Sequence, residues 1–99
     1  MEGVKEQSGI LTWSKENVVG APKTQGVLVL RFSPVNGDIL HIEQTNNLEE
    51  SLTKFLDQGP AGLKFFEWYS TESMDAATEL AKFLSERHGL HQRPTEAGE

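Results

Sequence analysis

The stretch Gly26–Leu56, GVLVLRFSPVNGDILHIEQTNNLEESLTKFL, constrains the fold more than any other part of the chain. Gly26–Phe32 predicts a strand with Leu28, Leu30 and Phe32 on one face and Val27, Val29 and Arg31 on the other. Ser33–Gly37 is dense in turn formers and ends in Asn36-Gly37, the positive-φ pair that hairpins favour. Asp38–Glu43 reads as the return strand, with Leu40 and Ile42 on one face and Ile39, His41 and Glu43 on the other. Apolar residues on both faces imply a central hairpin covered on both sides. Asn46 and Asn47 are each followed three residues later by a glutamate, so either can start a helix. Leu48, Leu52, Phe55 and Leu56 form its apolar stripe, and Gly59-Pro60 stops it.

The flanks complete the element order. Residues 1–9 are polar and are expected to be disordered. Ile10, Leu11 and Trp13 form a short apolar cluster that docks on the domain, and Ser14 caps one helical turn, Lys15–Val19, ended by Gly20. Leu63–Tyr69, LKFFEWY, predicts a third strand. Ser70, Thr71 and Ser73 offer caps for a second long helix over Ser73–His88. Its stripe is Met74, Ala77, Ala81 and Leu84, widened by Leu80 and Phe83, and Gly89 is its stop. Residues 90–99 read as a disordered tail. The expected fold is thus one α+β domain over residues 10–89: a small three-stranded, mainly antiparallel sheet with flanking helices, in β-β-α-β-α order.

Composition narrows the function classes. A chain of 99 residues suits one domain, and with no cysteine it has neither disulfides nor thiolate metal sites. No signal core precedes the domain, and no apolar run approaches the length of a membrane span. A cytoplasmic protein with no membrane partner is expected. The net charge of −6 disfavours nucleic acid as the partner, since duplex binding relies on several lysine and arginine contacts to phosphate. A protein partner or a second copy of the chain fits better.

Several residues together resemble the GIY-YIG nuclease superfamily. Gly26-Val27-Leu28 stands where that family has Gly-Ile/Val-Tyr, and His41-Ile42-Glu43 where it has Tyr-Ile/Val-Gly. Gln44-Thr45-Asn46-Asn47-Leu48 is similar to the family segment that follows, including its Asn-Leu pair, and Ala21-Pro22 resembles its lead-in. The resemblance covers about Ala21 to Leu84 and implies the family's sheet-and-helix scaffold. It also implies a set of site positions, most of them altered. Leu28 replaces a tyrosine and has no proton to transfer. His41 replaces the second tyrosine and retains the capacity of a general base. Ser51 falls where an arginine would stabilise phosphoryl charge. Glu43 replaces a glycine, and Glu49 and Glu50 add further negative charge. Glu79 falls nearest the family's metal-binding glutamate, with Leu80 competing for the position; one carboxylate holds Mg²⁺ weakly without substrate phosphates.

The resemblance therefore implies a catalytically degenerate domain acting as a binding or protein-interaction module, with no cofactor. One alternative is a divergent Mg²⁺-dependent DNA endonuclease using His41 and Glu79, and another is a homodimerising structural protein. The remaining features read more simply. His88 and His91 straddle Gly89 without further ligands nearby. Arg31, Lys54 and Lys64 read as solvated charges rather than a basic spot. Phe65, Phe66, Trp68 and Tyr69 read as a strand buried on both sides rather than a base-stacking platform.

Overall fold

A computed structural model describes residues 3–33 and 39–87 of the chain. It is a small α+β domain with a five-stranded antiparallel sheet and three helices. The strands are β1 (Val4–Gln7), β2 (Leu11–Thr12), β3 (Gly26–Arg31), β4 (Ile39–Thr45) and β5 (Phe65–Thr71). The helices are α1 (Lys15–Val19), α2 (Leu48–Gln58) and α3 (Met74–Arg87). The sheet order is β1-β5-β3-β4, with β2 also paired to β5.

Five strands rather than three follow from the N-terminal segment. Residues 1–9 are not wholly disordered as expected: β1 pairs with Tyr69–Thr71, and β2 continues along the same edge against Phe65 and Phe66. The gap between them keeps its hydrogen bonds. The Ser8 amide donates to the Trp68 carbonyl, and the Ser8 hydroxyl accepts from the Trp68 amide. Gly9 follows with φ of 72°, a left-handed kink suited to glycine. Alternation could not reveal β1, because Val4 is its one partly covered residue; pairing with β5 supplies the order.

The central strand is β3, flanked by β4 and β5, with all six of its residues buried. The hairpin expected to be central is so only in this strand: β4 lies at the edge of the sheet and is buried in part, because β5 rather than a further strand pairs with the other side of β3. Leu28 and Leu30 join Phe66, Leu48, Leu52 and Val18 in a core under α1 and α2. Val27 and Val29 join Ile39, Ile42, Ala77, Leu80, Ala81 and Leu84 in a second core under α3. The expected faces of β3 hold as far as Arg31. Phe32 lies past the strand end and is 47% exposed. The return strand departs from simple alternation. Leu30 pairs with His41 but Arg31 pairs with Ile39, so Leu40 is the extra residue of a β-bulge. Ile39 and Ile42 consequently share the α3 core, while Leu40 packs in the α2 core. The expected grouping of Leu40 with Ile42, and of Ile39 with His41 and Glu43, is corrected by that one inserted residue.

Local signals set the helix starts. The Ser14 hydroxyl accepts from the Asn17 amide, and Gly20 caps α1. Of the two asparagines it is Asn47 that caps α2, accepting from the Glu50 amide at 3.0 Å, and Gly59 ends the helix. Ser73 accepts from the Ala76 amide at the start of α3. Met74 and Phe83, expected on the buried stripe of α3, are 38% and 43% exposed, since the helix rests on the narrower stripe of Ala77, Leu80, Ala81 and Leu84. The third expected strand is displaced to Phe65–Thr71, because β5 runs opposite the whole of β3 and ends where Ser70 pairs with Gly26. Gly37, Gly89, His88, His91 and the tail lie outside the described residues.

Gly26 permits the close approach of β5 and α2. A Cβ there would collide with the Tyr69 carbonyl oxygen and lie 2.9 Å from Leu48 Cδ1. By contrast, a Cβ on Gly20 would meet nothing nearer than 3.5 Å, and its φ of −81° suits any residue. Gly26→Ala is therefore expected to lower stability by about 1–3 kcal/mol, and Gly20→Ala to change it by under about 0.5 kcal/mol. Urea unfolding midpoints of the two variants check the contrast.

Candidate functional site

The cover over the sheet is uneven. On one face α3 packs chiefly across β4 and β3 and touches β5 less. The part of that face formed by β5 and β1 is left open as a cleft of about 650 Å³. Its lining comes from Val4–Gln7 and Ile10 at the N-terminal edge, from Arg31, Glu67 and Tyr69 on the sheet, and from Phe83, Leu84 and Arg87 on α3.

Strand register assembles the polar floor. Glu67 pairs with Val29, and Arg31 with Phe65, so the two charged residues are diagonal neighbours on the cleft face. Arg31 Nε and Nη2 both donate to Glu67 Oε2, at 3.1 and 2.7 Å. The pair is buried, with side chains 4% and 10% exposed. Tyr69, two residues along the same face of β5, donates from its hydroxyl to Glu67 Oε1 at 3.3 Å. Burial, the Glu67 charge and that hydrogen bond push the phenol pKa up to about 12, while Arg31 and Arg87 pull the other way. The hydroxyl is thus neutral throughout the physiological range. At the rim the Arg87 guanidinium sits 5.9 Å from the centre of the Phe83 ring. Arg87 makes no ion pair among the described residues.

This constellation escaped the sequence reading, which took Arg31 for a solvated charge; it is 4% exposed. The available signal was one arginine and one glutamate, of opposite sign, inside otherwise apolar strands. Which residues would meet depended on the β3–β5 register, which the intervening helix leaves open. The aromatics of β5 follow the expected burial on both sides only in part: Phe66 is fully buried, with Trp13 edge-on at 5.2 Å, whereas Phe65, Trp68 and Tyr69 are partly buried and Tyr69 lines the open cleft.

The positions implied by the family resemblance lie elsewhere. Leu28 is fully buried in the core under α1 and α2. His41 is exposed on the α2 side of β4; its Nε2 is 2.9 Å from Glu43 Oε1, and its ring lies edge-on to Phe55 at 5.7 Å. A polar contact this exposed contributes little to stability. The Ser51 hydroxyl is 2.6 Å from the Thr45 hydroxyl. The Thr45 hydroxyl also accepts from the Asn47 amide, which ties the end of β4 to the α2 cap. Glu79 is exposed on α3, which packs against the other face of the sheet. His41 and Ser51 therefore share the α2 side, and Glu79 does not join them. Among the described residues no group of three or more His, Asp or Glu is placed to hold a metal ion. No helix among them is long and apolar enough to cross a membrane.

Comparison of the chain with protein-family models, with curated proteins and with solved structures gives no match in any of the three.

The cleft floor generates two expectations. Removing the guanidinium in Arg31→Met leaves the buried Glu67 carboxylate with the long Tyr69 contact, and is expected to cost about 3–5 kcal/mol. In the double variant Arg31→Met/Glu67→Leu the charge is gone, and chemical denaturation is expected to show most of that loss recovered. Tyr69, the single tyrosine of the chain, allows a clean spectroscopic titration. Its phenolate absorbance is expected to rise with a midpoint near pH 12 in the folded protein. Between the ordinary tyrosine pKa of 10.0 and about 12 the unfolded chain loses a proton that the folded chain keeps. Stability therefore falls as pH rises through that window, and is unaffected by Tyr69 below it.

Proposed function

We propose that this chain is a catalytically degenerate GIY-YIG-like domain that acts as a binding module. The observation that carries the reading is where polar groups converge. At the family-equivalent positions Leu28 is sealed in the core, Ser51 is hydrogen-bonded to Thr45, and His41 and Glu79 belong to opposite faces of the sheet. A general base and a carboxylate separated by a packed sheet cannot act on one phosphodiester, because proton transfer needs contact or a single bridging water. The groups that do converge, Arg31, Glu67 and Tyr69, form the floor of a cleft of mixed lining. Apolar Val4, Ile10, Phe83 and Leu84 stand there beside polar Lys5, Glu6, Gln7 and Arg87. A few convergent polar groups beside apolar surface are common in recognition sites.

The charges near the family-equivalent face support the same reading. Glu43, Glu49 and Glu50 stand on β4 and the first turn of α2, around His41 and Ser51. Negative groups there oppose the approach of a phosphate backbone. The acidic face and the cleft lie on opposite sides of the sheet, so recognition through the cleft does not require the charge of the other face to change.

The test is a Mg²⁺- or Mn²⁺-supplemented cleavage assay on branched, nicked and single-stranded DNA. No cleavage above buffer background is expected, and His41→Ala and Glu79→Ala are expected to change nothing. Robust cleavage that disappears in either variant would sink the proposal.

A further inference from the structure

Resting on the binding-module reading, we infer that the cleft between β1, β5 and α3 binds a small planar molecule with an N–H donor at one end and a carboxylate at the other. Three features of the lining lead to this chemistry.

The floor asks for a donor. Glu67 Oε2 takes the two Arg31 bonds, whereas among the described residues Oε1 has only the 3.3 Å contact from Tyr69. A carboxylate oxygen accepts more than one hydrogen bond. Glu67 lines the cleft, so an amine or amide N–H that enters and meets Oε1 completes its set. The ligand end that reaches the floor need not be cationic, because Arg31 already balances the Glu67 charge. The Tyr69 hydroxyl stays protonated to about pH 12 and offers a neutral partner beside it.

The walls ask for a flat apolar body. Phe83 and Ile10 are 43% and 41% exposed, large apolar residues that each line the cleft. Val4 and Leu84 continue the apolar lining on opposite sides. A ring between them removes apolar surface from water and can pack edge-on or offset against Phe83.

The rim asks for an anion. Lys5 and Glu6 contribute one charge of each sign to the lining, while Arg87 has an aromatic neighbour but no ion pair among the described residues. A guanidinium held over a ring is suited to bidentate recognition of a carboxylate. The cleft volume lies within the range of small-molecule sites, so the ring, donor and acid can be accommodated together.

The probe is para-aminobenzoate, which carries an aromatic amine and a carboxylate across one ring; aniline and benzoate each lack one end. Amide chemical shifts of the full-length protein are followed during titration with each compound. Saturable shifts are expected at Glu67, Tyr69, Phe83 and Arg87 for para-aminobenzoate, with aniline and benzoate each binding about tenfold more weakly or worse, as loss of one charge-assisted hydrogen bond implies. Arg87→Gln and Phe83→Ala alter exposed side chains and are expected to leave the fold intact. Arg87→Gln should erase the preference for para-aminobenzoate over aniline, and Phe83→Ala should weaken all three compounds. The inference is overturned if para-aminobenzoate gives no saturable shifts, if they gather away from the cleft, or if Arg87→Gln leaves its affinity unchanged. DNA cleavage lost in His41→Ala or Glu79→Ala would overturn the binding-module reading instead, so the two failures are told apart.

Discussion

Everything in this domain is arranged around a strand that sees no water. All six residues of β3 are buried, so each face needs its own cover. α1 and α2 close one face and α3 the other. Burying each large side chain contributes about 1.5–3 kcal/mol relative to exposure, so Leu28, Leu30, Val27 and Val29 together with Phe66 supply a sizeable share of the favourable side of folding. Double-sided burial also removes the usual specification of register. A one-residue slip exchanges the two faces, and here both are apolar, so hydrophobicity alone would tolerate it. Two residues break the tie. Gly26 is where β5 and Leu48 approach too closely for a side chain. Arg31 meets its counter-charge Glu67 only when it lies on the α3 side. A slip would put a Cβ into the Tyr69 carbonyl and a guanidinium into the apolar core under α2.

The same geometry produces the cleft. One helix cannot cover four strand positions, and α3 lies over the β3–β4 half. The uncovered half, on β5 and β1, is where the buried ion pair and the neutral phenol gather. A charged pair in a fully covered core must repay a large desolvation penalty. Beside an open cleft that penalty is smaller, and Glu67 lines that cleft. The side chains that fix the register thus also line the cleft.

The residues that carry the family resemblance have local structural work in this chain. Gly26 permits close strand packing, Thr45 and Asn47 turn β4 into α2 by hydroxyl and amide capping, and Leu48 fills the space above Gly26. Such residues follow from building a hairpin that leads into a capped helix, and they can persist while a reaction does not. Gly26, Asn47 and Leu48 are therefore legible as scaffold, whereas the family-equivalent positions Leu28, His41, Ser51 and Glu79 do not converge.

From the sequence alone came the β3 strand, the Ser14 cap of α1, the start of α2 at one of two asparagines, the Gly59 stop and the α+β class. These depend on short-range chemistry: side-chain period, a hydroxyl or amide within three residues, the conformational freedom of glycine. Tertiary structure decided the β-bulge at Leu40, the order of Val4–Gln7, and the meeting of Arg31 with Glu67 and Tyr69. Each of these requires two segments distant along the chain to align in one register. A bulge moves every later side chain to the other face, and an edge strand borrows its order from its neighbour. No local pattern records either choice, because the free energy that makes it resides in contacts formed only when β3 and β5 lie side by side.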